Sequence, residues 1–187
     1  MRLSLTHTLL ALACLTGNIA HAKPNPAPLD PLLEAISERL AVADQVALSK
    51  WDSGQAIEDI PREQQVIASA RNRSAEFKLD ADSVQQLFRA QIEANKRVQN
   101  ALHAQWRTAG HAPEIARQDL SRDIRPALDR LQTQLLQAYA NFQPLRNAPE
   151  CASLLSAGLK RHSIDPIHDQ ALVLATAGLC APKGASN

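Results

Sequence analysis

From residue 30 onward the apolar positions Leu32, Leu33, Ile36, Leu40, Ala43, Val46 and Ala47 recur at steps of three and four, the spacing of one stripe along an α-helix. Asp30-Pro31 predicts the start of that helix, with Asp30 as N-cap and Pro31 at the first helical position. Asp52-Ser53-Gly54 predicts its end, just after Trp51. Asp59 can cap a second helix, with Pro61 in its first turn and Val66, Ile67, Ala70 and Phe77 as its apolar face, running to about Phe77. Asp80 or Asp82 caps a third, to about Arg107, with Val84, Leu87, Phe88, Ile92, Val98 and Leu102 on the buried side.

The stretch 108–118 holds Gly110 and Pro113 and reads as a loop. A fourth helix begins between Leu120 and Ile124, where Pro126 is tolerable only in the first turn. It continues through Leu128, Leu131, Leu135, Leu136 and Tyr139 to about Phe142, with Pro144 and Pro149 punctuating its end. Two shorter helices follow, at about 150–161 and 166–180. The pattern predicts an all-α, single-domain bundle of about six helices, without internal repeats.

Composition agrees with that class. The 187 residues include 32 Ala, 26 Leu and 15 Gln but only 6 Gly and 6 aromatics, a poor supply for β-sheet. The 20 basic and 19 acidic residues nearly cancel, which argues against nucleic acid or a membrane surface as partner.

Residues 1–22 read as a secretory signal: Arg2 is the positive start, Leu9 to Leu15 a short apolar run, and Ala20-His21-Ala22 a small-x-small cleavage site. The run is too short to span a bilayer. Rival readings are a lipidated N-terminus at Cys14 and an ordinary N-terminal helix. The domain is then residues 23–187, in a periplasmic or secreted setting, opened by a Pro-rich lead-in over 23–29. Removal of the signal takes Cys14 with it and leaves Cys151 and Cys180, an even pair in an oxidising compartment, which predicts a disulfide tying the last two helices. His103, His111, His162 and His168 show no ligand spacing and are expected at the surface, so no metal site is expected.

Several polar residues fall at suggestive intervals. Arg39 and Lys50 are eleven residues apart, which on a helix brings them to one side, roughly 16 Å apart along the axis. Asp59, Arg62 and Glu63 cluster at the start of the second helix, Asn95 and Gln99 are an i, i+4 pair on the third, and Arg125 opens the fourth. Taken singly, these residues read as solvated faces. In order, Glu38-Arg39-Leu40, Val46-Ala47, Lys50-Trp51, Ile57-Glu58-Asp59-x-x-Arg62-Glu63, Gln91-Ile92-x-Ala94-Asn95-x-x-x-Gln99 and Arg125-Pro126-Ala127-Leu128-Asp129 resemble the all-helical chorismate mutases. More narrowly the chain resembles their exported, single-chain subclass, over roughly residues 30–181, and the late cysteine pair matches that subclass too.

The resemblance implies rearrangement of chorismate to prephenate, on the route to phenylalanine and tyrosine. Such an intramolecular shift uses no cofactor or metal. It needs the dicarboxylate held in a compact geometry and donors aimed at the ether oxygen as charge develops there. By the family's motif, Arg39, Arg62 and Arg125 are carboxylate clamps. Lys50 serves a carboxylate and the ether oxygen, and Gln99 donates to the same oxygen. Asp59 and Glu63 order the arginines and bind the ring hydroxyl. Asn95 stands where the family usually has Ser or Thr, for a further carboxylate contact. Arg125 replaces an arginine that two-chain relatives take from a partner subunit, so a homodimer is left open. The alternatives are an exported non-catalytic helical protein that binds a partner or a small acid, and another chorismate-consuming enzyme on the same bundle.

Overall fold

The computed structural model describes residues 28–181, and the expected signal segment lies outside them. The described chain folds into six α-helices: α1 (Leu29–Ser53), α2 (Ile60–Asn72), α3 (Ala81–Ala109), α4 (Arg125–Arg146), α5 (Cys151–Arg161) and α6 (Pro166–Ala175). A 3-10 turn (Ser74–Phe77) precedes α3 and a π-helical turn (Leu120–Ile124) precedes α4.

The long helix α1 packs against α3 and α4, while α3 also carries α2 and α6. The stripe Leu32, Leu33, Ile36, Leu40, Ala43, Val46 and Ala47 is wholly buried, and burying each large member stabilises the fold by about 1.5–3 kcal/mol. Its members Leu32, Leu33, Ile36, Leu40 and Ala43 meet Val84, Leu87, Phe88 and Val98 of α3 and Leu135, Leu136, Tyr139 and Phe142 of α4 in one core, while Ala47 packs with Leu48, Trp106 and Ala112 in a second, smaller cluster. Against that core α5 comes very close at Gly158, where a Cβ would lie 2.5 Å from Leu33 Cδ1. Gly54 takes the left-handed conformation (φ 68°) that ends α1 and turns the chain toward α2.

Helix boundaries depart from the sequence reading in instructive ways. Asp30 is not the N-cap of α1: the helix starts two residues earlier than predicted, at Leu29 after Pro28, and the Asp30 carboxylate pairs with Arg161 of α5. The second helix ends at Asn72 and tightens into the 3-10 turn that carries Phe77, since Asn72 and Ser74 are weak helix formers. Asp80, rather than Asp82, caps α3 by accepting the Ser83 N–H at 2.8 Å. Pro144 does not end α4 but lies inside its last turn, and the helix runs on to Arg146. The final helix stops at Ala175, after which Gly178 (φ 79°) turns the chain toward Cys180.

Two histidines expected at the surface are not there. His103 is buried, donates from Nε2 to the Ala47 carbonyl at 2.8 Å, and packs edge-on to Trp51. His168 lies between Asp165 (Nδ1, 2.6 Å) and Asp44 (Nε2, 3.2 Å), linking α6 to α1.

The expected disulfide joins Cys151 to Cys180 and closes a segment of sequence separation 29. Chain entropy assigns such a bridge about 3.6 kcal/mol. Both cysteines lie apart from the cavity described below. Reduction is therefore expected to lower the melting temperature while turnover at mild temperature stays largely intact. A melt and a turnover assay, each with and without reductant, check this.

Candidate active site

One cavity, of about 120 Å³, takes side chains from α1, α2, α3, α4, the α1–α2 connection and the π-helical turn. Arg39, Lys50, Asp59, Arg62, Glu63, Asn95, Gln99 and Arg125, the eight residues singled out by motif, all line it.

On α1, Arg39 is only 7% exposed. Its guanidinium lies over the Phe88 ring at 5.4 Å and donates from Nη1 to the Leu128 carbonyl at 3.1 Å. Burial lowers its pKa to about 10, with the Asp129 charge opposing the shift, so it remains a cation at neutral pH. Its buried Nε has no protein partner, a donor that an anionic oxygen in the cavity would satisfy. Three turns along, Lys50 donates from Nζ to the Ile57 carbonyl. Burial pushes its pKa down. Asp59 and Glu63 counteract that, while Arg125 and Lys96 add to it.

The start of α2 is built by Asp59, whose carboxylate caps the helix by accepting the Arg62 N–H at 3.2 Å. Glu63 reaches back to accept the Asp59 N–H at 3.3 Å. This reciprocal bonding fixes two carboxylates and the root of Arg62 in one turn. The Arg62 guanidinium reaches Asp129 of α4 at 3.2 Å and Gln65 at 3.0 Å.

On α3, Gln99 donates from Nε2 to Asn95 Oδ1 at 2.7 Å, and Asn95 donates in turn to the Arg39 carbonyl at 3.2 Å. Gln99 is 3% exposed, which removes the reading of a solvated face. The amide of Gln99 carries a second N–H, and its Oε1 has no partner.

Arg125 owes its place to the π-helical turn. Asp119 caps that turn by accepting from the N–H groups of Ser121 and Arg122. The N–H groups of Ile124 and Arg125 then reach back five residues, to the carbonyls of Asp119 and Leu120. The wider turn inserts a residue just ahead of Pro126 and so rotates Arg125 relative to a plain α-helical entry. Arg125 Nη2 lies 3.9 Å from Asp59 Oδ2.

The cavity holds further residues to which the sequence reading gave no role. Asp129 follows Arg125 by one helical turn, a spacing visible in the sequence. Gln132, another turn on, donates to Ser69. Gln91 is buried and donates to the Ala175 carbonyl, pinning α3 to α6. Glu63 is paired with Lys96 at 3.2 Å rather than with an arginine. Of the charged residues lining the cavity, Arg39, Lys50, Arg62, Lys96 and Arg125 are cationic and Asp59, Glu63 and Asp129 acidic, which leaves two positive charges. Among the described residues no cluster of His, Cys, Asp and Glu suited to a metal is found, and no helix is long and apolar enough to cross a membrane.

The six-helix bundle thus encloses a cavity whose charged lining holds two more cationic than acidic side chains, a setting that complements an anionic ligand. Residues 30–100 match the family model described as chorismate mutase type II. The chain is 36% identical to a secreted chorismate mutase of Mycolicibacterium smegmatis over 91% of this chain and 97% of that protein. It is 30% identical to a secreted chorismate mutase of Mycobacterium tuberculosis over 81% and 78% of the two. The crystal structure of a chorismate mutase from Burkholderia phymatum superposes with a TM-score of 0.82 at 41% identity, over 84% of this chain and 98% of that one. The chain belongs to the exported, all-helical chorismate mutases.

Proposed function

We propose that the cavity binds chorismate and rearranges it to prephenate with the eight motif residues in distinct roles. The chain is a chorismate mutase, an isomerase, and the observation that carries the assignment of roles is their convergence on one cavity with two surplus positive charges. Chorismate is a dicarboxylate, so those charges complement it. Arg39, Arg62 and Arg125 clamp the carboxylates, and Asn95 adds a polar contact. Glu63 accepts from the single O–H of the ring hydroxyl, and Asp59 keeps Arg125 beside the substrate.

The reaction breaks one C–O bond and forms one C–C bond within a single molecule. No proton, electron or group is exchanged with the protein. Catalysis then consists of holding the two reacting ends together and stabilising negative charge on the departing ether oxygen. Lys50 and the free N–H of Gln99 supply two donors for that oxygen. Lys50 leaves the Ile57 carbonyl to do so, and Arg62 exchanges part of its pairing with Asp129 for a substrate carboxylate.

All eight residues come from one chain, so turnover does not require a second subunit. Residues 1–22 direct export and are removed, leaving 23–187 as the mature mutase domain.

Loss of the enol-ether absorbance on mixing purified protein with chorismate tests the reading. Turnover at enzymic rates is the expected result. Binding of chorismate without turnover would make the protein a small-acid binder instead.

A further inference from the structure

Lys96 follows Asn95 on α3 and lines the same cavity. Its side chain is 15% exposed, and its Nζ lies 2.8 Å from Glu93, 3.2 Å from Glu63 and 3.8 Å from Glu58. The three carboxylates belong to three different pieces of chain: α3, α2 and the α1–α2 connection. Burial disfavours the ammonium charge, but hydrogen bonds to Glu93 and Glu63 and the charges of both outweigh it, so Lys96 titrates above an ordinary lysine.

The three carboxylates differ in setting. Glu58 and Glu93 are mostly exposed and Glu63 is mostly covered. Exposed pairs of this kind contribute little by themselves. Their effect here is to hold the ammonium in place beside Glu63. The Glu63 carboxylate is then gripped at both ends, Oε1 by the Asp59 N–H and Oε2 by Lys96. Rotation of the carboxylate would break one of the two bonds. Each oxygen keeps a lone pair for another donor.

We propose that Lys96 is a positioning residue that locks Glu63 in the orientation in which it accepts a hydrogen bond from the substrate's ring hydroxyl. The proposal rests on the cavity being the chorismate site. Lys96 does not touch the substrate in this scheme. It sets how well the hydroxyl is captured, and so acts on KM more than on kcat.

A double-mutant cycle tests this, using Lys96→Met, Glu63→Gln and the pair in the full mature chain, with chorismate depletion as the readout. Lys96→Met is expected to lower kcat/KM about tenfold, mainly through a raised KM. In the Glu63→Gln background the same change should cost less than about twofold, because the group it acts through is gone. Lys96→Arg, which keeps the charge and the reach, should restore most of the loss. Melting temperatures of all variants are measured alongside, and Lys96→Gln replaces Lys96→Met if the latter does not fold.

An equal loss in both backgrounds would show that Lys96 acts on the fold or on the general field of the cavity, and would overturn the proposal. A silent Lys96→Met would overturn it as well. Failure of the underlying reading looks different: a wild-type protein without turnover, or full turnover in Lys50→Ala, would remove the site and the role of Lys96 together.

Discussion

Lys50→Ala is expected to lower kcat/KM by about two to three orders of magnitude, the cost of removing one preorganised donor at a developing oxyanion. Lys50 is 8% exposed and reaches the cavity from the buried face of α1. Its ammonium is partly desolvated, which strengthens its interaction with charge inside the cavity. Alanine leaves that charge to Gln99 alone. Arg62→Ala should also be severe, since the proposed role of Arg62 is that of a fork-shaped carboxylate clamp, whereas Lys183→Ala, outside every motif, should be silent. Steady-state kinetics on the three variants, with melting curves to confirm folding, decide this. Near-normal kcat/KM in Lys50→Ala would end the proposed role of that residue.

The same lysine is expected to set the alkaline side of the activity. It must be protonated to act, and burial lowers its pKa. Activity is therefore present below that pKa and lost as pH rises through it, earlier than an ordinary lysine would allow. Chorismate brings two negative charges beside Lys50 and favours its protonated form. The alkaline limb of kcat, which reports the complex, should thus lie above that of kcat/KM, which reports the free enzyme.

Helical spacing made part of this cluster legible before the structure, and the resemblance to the chorismate mutases singled out the rest, since taken one at a time these residues read as solvated faces. The intervals Arg39 to Lys50 and Asn95 to Gln99 place side chains on common faces, and Asp59 announces itself as a cap. What remained hidden depended on other kinds of information. Lys96 is three residues before Gln99 and shares its face, but its three carboxylate partners include Glu58 and Glu63 from outside α3, which spacing along α3 does not show. The π-helical turn before Arg125 has no periodic signature, being a local answer to Pro126 and the Asp119 cap. His103 is buried and His168 mostly covered because their polar atoms find partners on α1, which the sequence of α3 or α6 alone does not reveal. Pro144 shows the limit of a breaker rule. Near the end of α4 it removes a single hydrogen bond, and the buried side chains of Phe142 and Leu145 keep the last turn in place.

Gln99→Glu is expected to turn a kcat that is flat from mildly acidic to mildly alkaline pH into one that favours acid. Glutamine always carries N–H donors and does not titrate, so the wild-type profile is limited only by Lys50 on the alkaline side. Glutamate has the same shape, but it donates only when protonated and repels the ether oxygen when ionised. The position is 3% exposed, with Asn95 as its neighbour on α3 and Lys50 across the cavity. Desolvation raises the pKa of a carboxyl placed there, bound substrate raises it further, and Lys50 opposes both. The sign is the same whatever the balance: the donating form is present below that pKa and vanishes above it. On the alkaline side of that pKa, kcat should fall by about tenfold per pH unit. Measuring kcat against pH for both proteins separates the outcomes. An unchanged profile in Gln99→Glu would mean that residue 99 makes no contact with the reacting oxygen, and the second donor would have to be sought elsewhere in the cavity.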